Sequence, residues 1–217
     1  MGWKCCDEVW DMVMKTWFRR NNNDAAVKDV IPRAFENRLF GYHPAAARLI
    51  LYFLAYQIKN TFDTIVWNDG IEFIIHHVLC LLTAWPALAP PSSQLYAPFY
   101  FGVSELSTGV LCLLANFDDI HGVKGLSDAF PMVKAGLGAA FAILFFICRV
   151  FSWSTISYYY FRDAWNALSG EDPRMYQRRT YLRYTMVSLS LLSVLQVIWL
   201  GQIIYIGKQE MESMGLL

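Results

Sequence analysis

Apolar residues gather in five stretches of this chain, over about 45–63, 71–89, 96–116, 133–161 and 184–206. A helix needs about 20 residues to cross a hydrocarbon core of roughly 30 Å, and each stretch meets or nearly meets that length. The first is the weakest, because Gln57, Lys59 and Asn60 interrupt it near its end. The fourth exceeds one straight crossing, so its tail, Ser157-Tyr158-Tyr159-Tyr160-Phe161, reads as an interfacial aromatic belt. Trp67, Trp85, Tyr96, Trp153, Trp199 and Tyr205 also fall at or near the ends of stretches. The short connections 64–70 and 90–95 force neighbouring helices into antiparallel contact. The pattern predicts an all-α fold, a polytopic transmembrane helical bundle of about five spans.

The first 44 residues follow a different rhythm. Trp3, Trp10 and Trp17 recur every seven residues with Val13 and Met14 in the same stripe, while Lys4, Asp7, Asp11 and Lys15 mark the opposite face. Such an amphipathic helix suits the headgroup plane, with the tryptophans as interfacial anchors; a partner groove selects the same pattern. Asn21-Asn22-Asn23-Asp24 ends it as a turn. The expected organisation is therefore a polar segment over 1–44, a membrane bundle over 45–206 and a short tail over 207–217.

Composition agrees with a membrane bundle. Apolar side chains make up 56% of the 217 residues and charged ones only 17%, against about 25% charged in an ordinary soluble domain. Basic and acidic residues balance at 18 each, so no surplus exists to neutralise phosphates and nucleic acid is not an expected partner. Charge position carries more than charge number. Lys4, Lys15, Arg19, Arg20, Lys28, Arg33 and Arg38 precede the first stretch, and Arg162, Arg174, Arg178, Arg179 and Arg183 separate the fourth from the fifth. The other side holds only Lys124, Lys134 and Lys208. This asymmetry places the N-terminus in the cytosol, or in a matrix or stroma, and the C-terminus across the membrane. Cys80, Cys112 and Cys148 lie inside apolar runs and no C-x-x-C occurs, which argues against a disulfide framework or a zinc ribbon.

Ionisable groups inside hydrocarbon are costly and each needs a reason. Glu72 and His76 stand four apart on one helix face, whereas His77 points about 100° away. One histidine can act as a general base with Glu72 orienting it, or both can hydrogen-bond to neighbouring helices. Glu105 and Arg149 reach similar depths from the basic side, about 5 Å apart at 1.5 Å per residue, so the expected arrangement is a structural ion pair. Asp63, Asp69, Glu72, Asp118, Asp119, His76 and His121 gather toward the less basic side; they read as solvated acids, and no metal is expected. With four histidines in all, the chain cannot supply a histidine-rich di-iron centre. It also lacks a G-x-S-x-G elbow, a P-loop and a dinucleotide fingerprint.

Two segments carry a resemblance. Ile71-Glu72-Phe73-Ile74-Ile75-His76-His77-Val78-Leu79 sets a double histidine in an apolar span, and the next span carries Ser104-Glu105-Leu106-Ser107-Thr108. With Tyr52-Phe53-Leu54-Ala55-Tyr56 before them, these resemble the TLC-domain family over roughly 45–206. That group of polytopic membrane proteins includes ceramide synthases and translocon-associated proteins. The resemblance implies a bundle that accommodates lipid acyl chains, with membrane lipids as partners and Glu72, His76, His77, Ser104, Glu105 and Thr108 as lipid contacts. The D-x-S-D motif of ceramide synthases is not matched, since Val103-Ser104-Glu105-Leu106-Ser107 offers one carboxylate. The family's leading span is replaced by the polar segment. The expected function is therefore lipid binding or homeostasis without turnover and without a cofactor. Two alternatives stay open: an accessory subunit bound to other membrane protein subunits, and an acyltransferase that uses acyl-CoA with His76 and His77 as catalytic residues. The resemblance implies the endoplasmic reticulum, and a subunit role an organellar inner membrane.

The charge asymmetry yields a direct test of topology. A protease added from the basic side of sealed vesicles is expected to cut within 1–44 and 162–183. Cleavage at 117–130 from that side would refute the five-span arrangement.

Overall fold

The computed structural model describes residues 38–88, 92–118, 122–170 and 176–213. Among them every regular element is helical: α1 Pro44–Trp67, α2 Ile71–Ala84, α3 Gln94–Ala115, the short α4 Leu126–Ala129, α5 Pro131–Ser169 and α6 Arg179–Ser213. The fold is an all-α polytopic one, as the apolar pattern predicts. Helices α3, α5 and α6 are long and apolar enough to cross a membrane. The first two expected spans form helices as well. However, α1 carries Arg48, Lys59 and Asp63 along its 24 residues, and α2 with its following turn reaches only Ala87.

Local chemistry sets the boundaries. Pro44 opens α1, where its missing N–H costs nothing. Asn68 closes it in the left-handed conformation at φ 57°, donating its N–H to the Thr64 carbonyl. Gly70 then takes φ 123°, and a Cβ there would lie 2.9 Å from the Glu72 carboxylate, so this turn requires glycine. Glu72 in the first turn of α2 complements the helix dipole. Pro86 ends α2 in a single 3-10 turn, Trp85–Ala87. The chain does not break α5 to shorten it. A π-helical stretch, Phe146–Ser152, widens the helix in place, and a second, Phe99–Val103, does so in α3.

The chain divides into two compact units. Among the described residues, one comprises the parts of the chain up to Phe101 together with 156–192, the other 102–155 together with 193–213. In the first, α1 packs along α2, and Leu39, Ile50, Leu95, Tyr96, Tyr160, Leu189 and Leu192 are almost fully buried. Polar links tie this interior together. Gln94, wholly buried, accepts the His43 N–H at 2.8 Å and donates to the Ala87 carbonyl at 3.0 Å. Thr83 and Ser188 hydroxyls meet at 2.7 Å, and Ser188 donates to the Leu79 carbonyl at 2.9 Å. Such hydroxyl bridges are a common adhesive between helices in lipid.

The strongest link in this unit was not expected. Asp163, 1% exposed, receives Arg38 Nε at 2.6 Å and Nη2 at 3.0 Å, and the Tyr96 hydroxyl donates to it at 2.5 Å. Burial works against the Arg38 charge, yet the hydrogen bonds and charge of Asp163 outweigh it and hold the guanidinium above its ordinary value. Arg38 therefore stays charged.

Part of the expected aromatic belt belongs to this core. Tyr158 is outward at 65% exposure, but Tyr160 is 1% exposed, and the Ser157 hydroxyl lies 3.1 Å from that of Tyr100. Ile156, Tyr160, Asp163, Ala164 and Ala167 recur at helical spacing and are all buried. Tyr96 is likewise internal, because its hydroxyl has Asp163 to bond. In the second unit, α5 packs against α3 through Pro131–Phe145 and Glu105–Ala115. Trp153, also placed in the belt by sequence, is buried there and donates its indole N–H to Ser193 at 2.9 Å.

Removing the Asp163 charge should strand a half-buried guanidinium. Asp163→Asn is expected to cost about 3–5 kcal/mol, whereas Tyr96→Phe, which deletes one bond to a charged acceptor, should cost about 1.5–3 kcal/mol. Thermal unfolding of the detergent-solubilised variants orders the two. Equal stability of Asp163→Asn and wild type would show that the pair does not hold the unit.

Candidate functional site

The second unit contains the polar cluster that surrounds Arg149. This residue lies in the π-helical stretch of α5 and is 6% exposed, within the apolar run Phe146–Ser152. One turn at the start of the α-helical part of α3 absorbs it. Arg149 Nε donates to the Ser104 carbonyl at 3.1 Å and to Ser107 Oγ at 3.0 Å. Its Nη2 donates to Thr108 Oγ1 at 2.8 Å and to Glu105 at 3.4 Å. The structure thus brings together Ser104, Glu105, Thr108 and Arg149. It adds Ser107, which is fully buried and which the depth argument left out. Glu105 makes the longest of the four contacts, so neutral oxygens carry most of the guanidinium's hydrogen bonding. The π-helical stretch Phe99–Val103 immediately precedes this turn, and widened turns of this kind recur at functional positions.

The histidine pair belongs to the first unit. Its rings lie 5.3 Å apart at 61°, and, as the 100° step implies, they have different partners. His77 Nδ1 lies 2.6 Å from Gln57 Oε1, a side chain that is 1% exposed on α1. The amide oxygen accepts, so Nδ1 carries the proton and Nε2 is left basic. His76 is buried at 8% exposure, with Nε2 3.6 Å from Cys80 Sγ one turn along α2. Glu72 is drawn to the start of its helix, against the Gly70 turn, by the same backbone dipole that favours an acid there. Of the two arrangements the sequence allows, His77 thus takes the one in which a histidine bonds to a neighbouring helix, through Gln57 of α1. The signal for Gln57 was present in the sequence as an interruption of the first apolar stretch.

Other expected residues are dispersed. Asp63 pairs with Lys59 on the exposed side of α1. Among the described residues no group of three or more His, Cys, Asp or Glu gathers in a metal-binding arrangement. Asp119 and His121 lie outside the described residues, as do Trp3, Trp10 and Trp17. Asp163 escaped sequence reasoning because it sits beside Arg162 in a basic connection and reads as a solvated charge. The small and aromatic spacing of Tyr160, Ala164 and Ala167 around it was the available sign of a buried face.

A double histidine in an apolar helix, followed by a Ser-Glu-x-Ser-Thr turn, is the pattern that resembles the TLC domain. The TLC domain matches residues 5–205 of this sequence. The chain belongs to the TLC-domain family. No curated protein and no solved structure matches it. The match to the TLC domain includes most of the polar N-terminal segment as well as the helices, and together with the apolar helices it makes this a membrane protein.

The Arg149 cluster of the TLC domain lends itself to a double-mutant cycle. Arg149→Leu should cost about 3–5 kcal/mol by leaving Glu105 without its counter-charge. Glu105→Gln should cost less, about 1–2 kcal/mol, because three acceptors remain on the guanidinium. The double variant is expected to be more stable than the sum of the singles. Strict additivity would show that the two side chains do not interact.

Proposed function

We propose that this TLC-domain protein accommodates lipid acyl chains and performs no turnover of its own. The observation that carries the reading is the engagement of Arg149 by the Ser104–Thr108 turn. The polar groups of that motif are spent on holding α3 to α5, while the exposed side chains of the same helices, such as Leu106, Leu113, Phe146 and Phe151, are apolar. Hydrocarbon chains are the natural occupants of such surfaces. His77, with its tautomer set by Gln57, offers one Nε2 acceptor for a headgroup donor. On this reading the N-terminal segment lies on the cytosolic face of the endoplasmic reticulum, by family resemblance; a subunit role would put it on the matrix or stromal face of an organellar inner membrane.

A second reading, a non-catalytic subunit of a larger membrane assembly, is favoured by one observation. Along Pro131–Phe145 only Phe145 is buried, and a Cβ added at Gly136 or Gly138 would meet nothing within 4 Å. A partner helix has room to approach there. Stoichiometric co-purification with other membrane proteins from mild detergent would select it.

Native mass spectrometry of the purified full chain is expected to retain acyl lipids. His77→Gln should preserve the fold and weaken retention only about two- to tenfold, the equivalent of one ordinary hydrogen bond of 0.5–1.5 kcal/mol. Offered acyl-CoA and a sphingoid base, the wild type should form no acylated product. Robust product formation that disappears in His76→Gln or His77→Gln would overturn the proposal in favour of an acyltransferase, since losing a general base costs about 10²–10⁴ in rate.

A further inference from the structure

Within the first unit, a partly open cavity of about 20 Å³ is lined by hydroxyl-bearing residues, among them Ser93 before α3, Tyr160 of α5 and Thr185 of α6, together with apolar ones such as Phe101 and Leu189. Two of the hydroxyls are unsatisfied. Tyr160 OH and Ser93 Oγ are buried without a hydrogen-bond partner, on residues 1% and 8% exposed. An unpaired buried hydroxyl forfeits its hydration with no return, so two at one cavity call for an occupant.

The lining defines what fits. A water-sized sphere needs at least about 10–15 Å³, so the space holds one oxygen and little more. No carboxylate, guanidinium or ammonium lines it, which gives neither a cation nor an anion a counter-charge. Thr185 already donates to the Tyr181 carbonyl at 3.0 Å, leaving its oxygen as an acceptor. Tyr160 and Ser93 each have an unused O–H to donate. An occupant that accepts twice and donates once closes the network.

The protein also positions these groups firmly. Ser93 adopts φ 60°, uncommon for a residue with a side chain. Its N–H is held by the Leu39 carbonyl at 2.7 Å, and its carbonyl accepts the Tyr96 N–H at 3.0 Å. The Tyr160 ring is fixed edge-on against Tyr96 at 5.2 Å. We propose that this cavity is a binding site for a single neutral O–H group, supplied by an internal water or by the alcohol of a lipid. The inference stands apart from the acyl-chain reading, because it concerns the hydroxyls at one small cavity inside the first unit and not the exposed apolar surface.

The sign of one stability change tests it. In an empty cavity, Tyr160→Phe removes an orphaned hydroxyl and raises the melting temperature. In a filled one it removes a bond to the occupant and lowers it, by about 2–4 °C for a chain of this size. Ser93→Ala keeps the backbone and makes the same test with a smaller change, should Tyr160→Phe fail to fold. The double variant should lose less than the sum of the singles, because both hydroxyls bind the same oxygen. Unchanged or raised melting temperatures in both single variants would overturn the proposal. Titrating the delipidated full chain with dioleoylglycerol, against methyl oleate as an alcohol-free control, separates the two sources. Stabilisation by dioleoylglycerol in the wild type but not in Tyr160→Phe assigns a lipid alcohol; no stabilisation, with Tyr160→Phe still destabilised, assigns a water.

Discussion

Hydrocarbon offers no hydrogen bonds, so every polar group that enters it must find its partner within the protein. That constraint organises both units of this chain. In one, Arg149 is met by a backbone carbonyl, two hydroxyls and a carboxylate, all from residues 104–108. In the other, Asp163 collects both arms of Arg38 and the phenol of Tyr96. The two solutions differ in kind. The arginine is solvated mainly by neutral oxygens, the aspartate by an opposite charge. A guanidinium spreads its charge over five N–H donors and can be satisfied piecemeal, while a carboxylate needs donors that converge on two atoms.

The remaining interior follows from the same demand at smaller scale. Thr83 with Ser188, Tyr100 with Ser157, His77 with Gln57 and Trp153 with Ser193 each pair two polar side chains within one unit. Between apolar surfaces in lipid there is little hydrophobic gain to be had, so helices are held by shape and by such bridges. Where the pairing is incomplete, around Tyr160 and Ser93, the space left is the size of one oxygen.

How far the sequence could be read depended on the kind of signal. Helices were legible because long apolar runs bounded by Pro44, by Asn68 through Gly70 and by Pro86 leave few other conformations. The neighbourhood of Glu105 and Arg149 was legible because single charges in apolar runs can be converted to depth by the helix rise. Asp163 was not, since a charge beside Arg162 near a helix end has two equally ordinary environments and only tertiary contact distinguishes them. For Glu72 and His76 the sequence left two readings, since the i, i+4 rule puts them on one face while the helix start and Gly70 compete for the carboxylate. The π-helical stretches have no sequence signature here, and they determine where the residues that follow them point. Family membership, carried by the double histidine and the Ser104–Thr108 turn, describes the scaffold more fully than it describes chemistry.

The 125 residues that separate Arg38 from Asp163 also have a consequence in time. At a synthesis rate of about 5–20 residues per second, roughly 6–25 s pass between the appearance of the arginine and that of its partner. Helices α1, α2 and α3 are therefore made before the clamp between Arg38 and Asp163 can close. During that interval Arg38 keeps its water, Tyr96 has no carboxylate to donate to, and the early helices are free to rearrange. Only the arrival of Asp163 lets the Arg38 and Tyr96 bonds form, so the packing of this unit is completed late in synthesis.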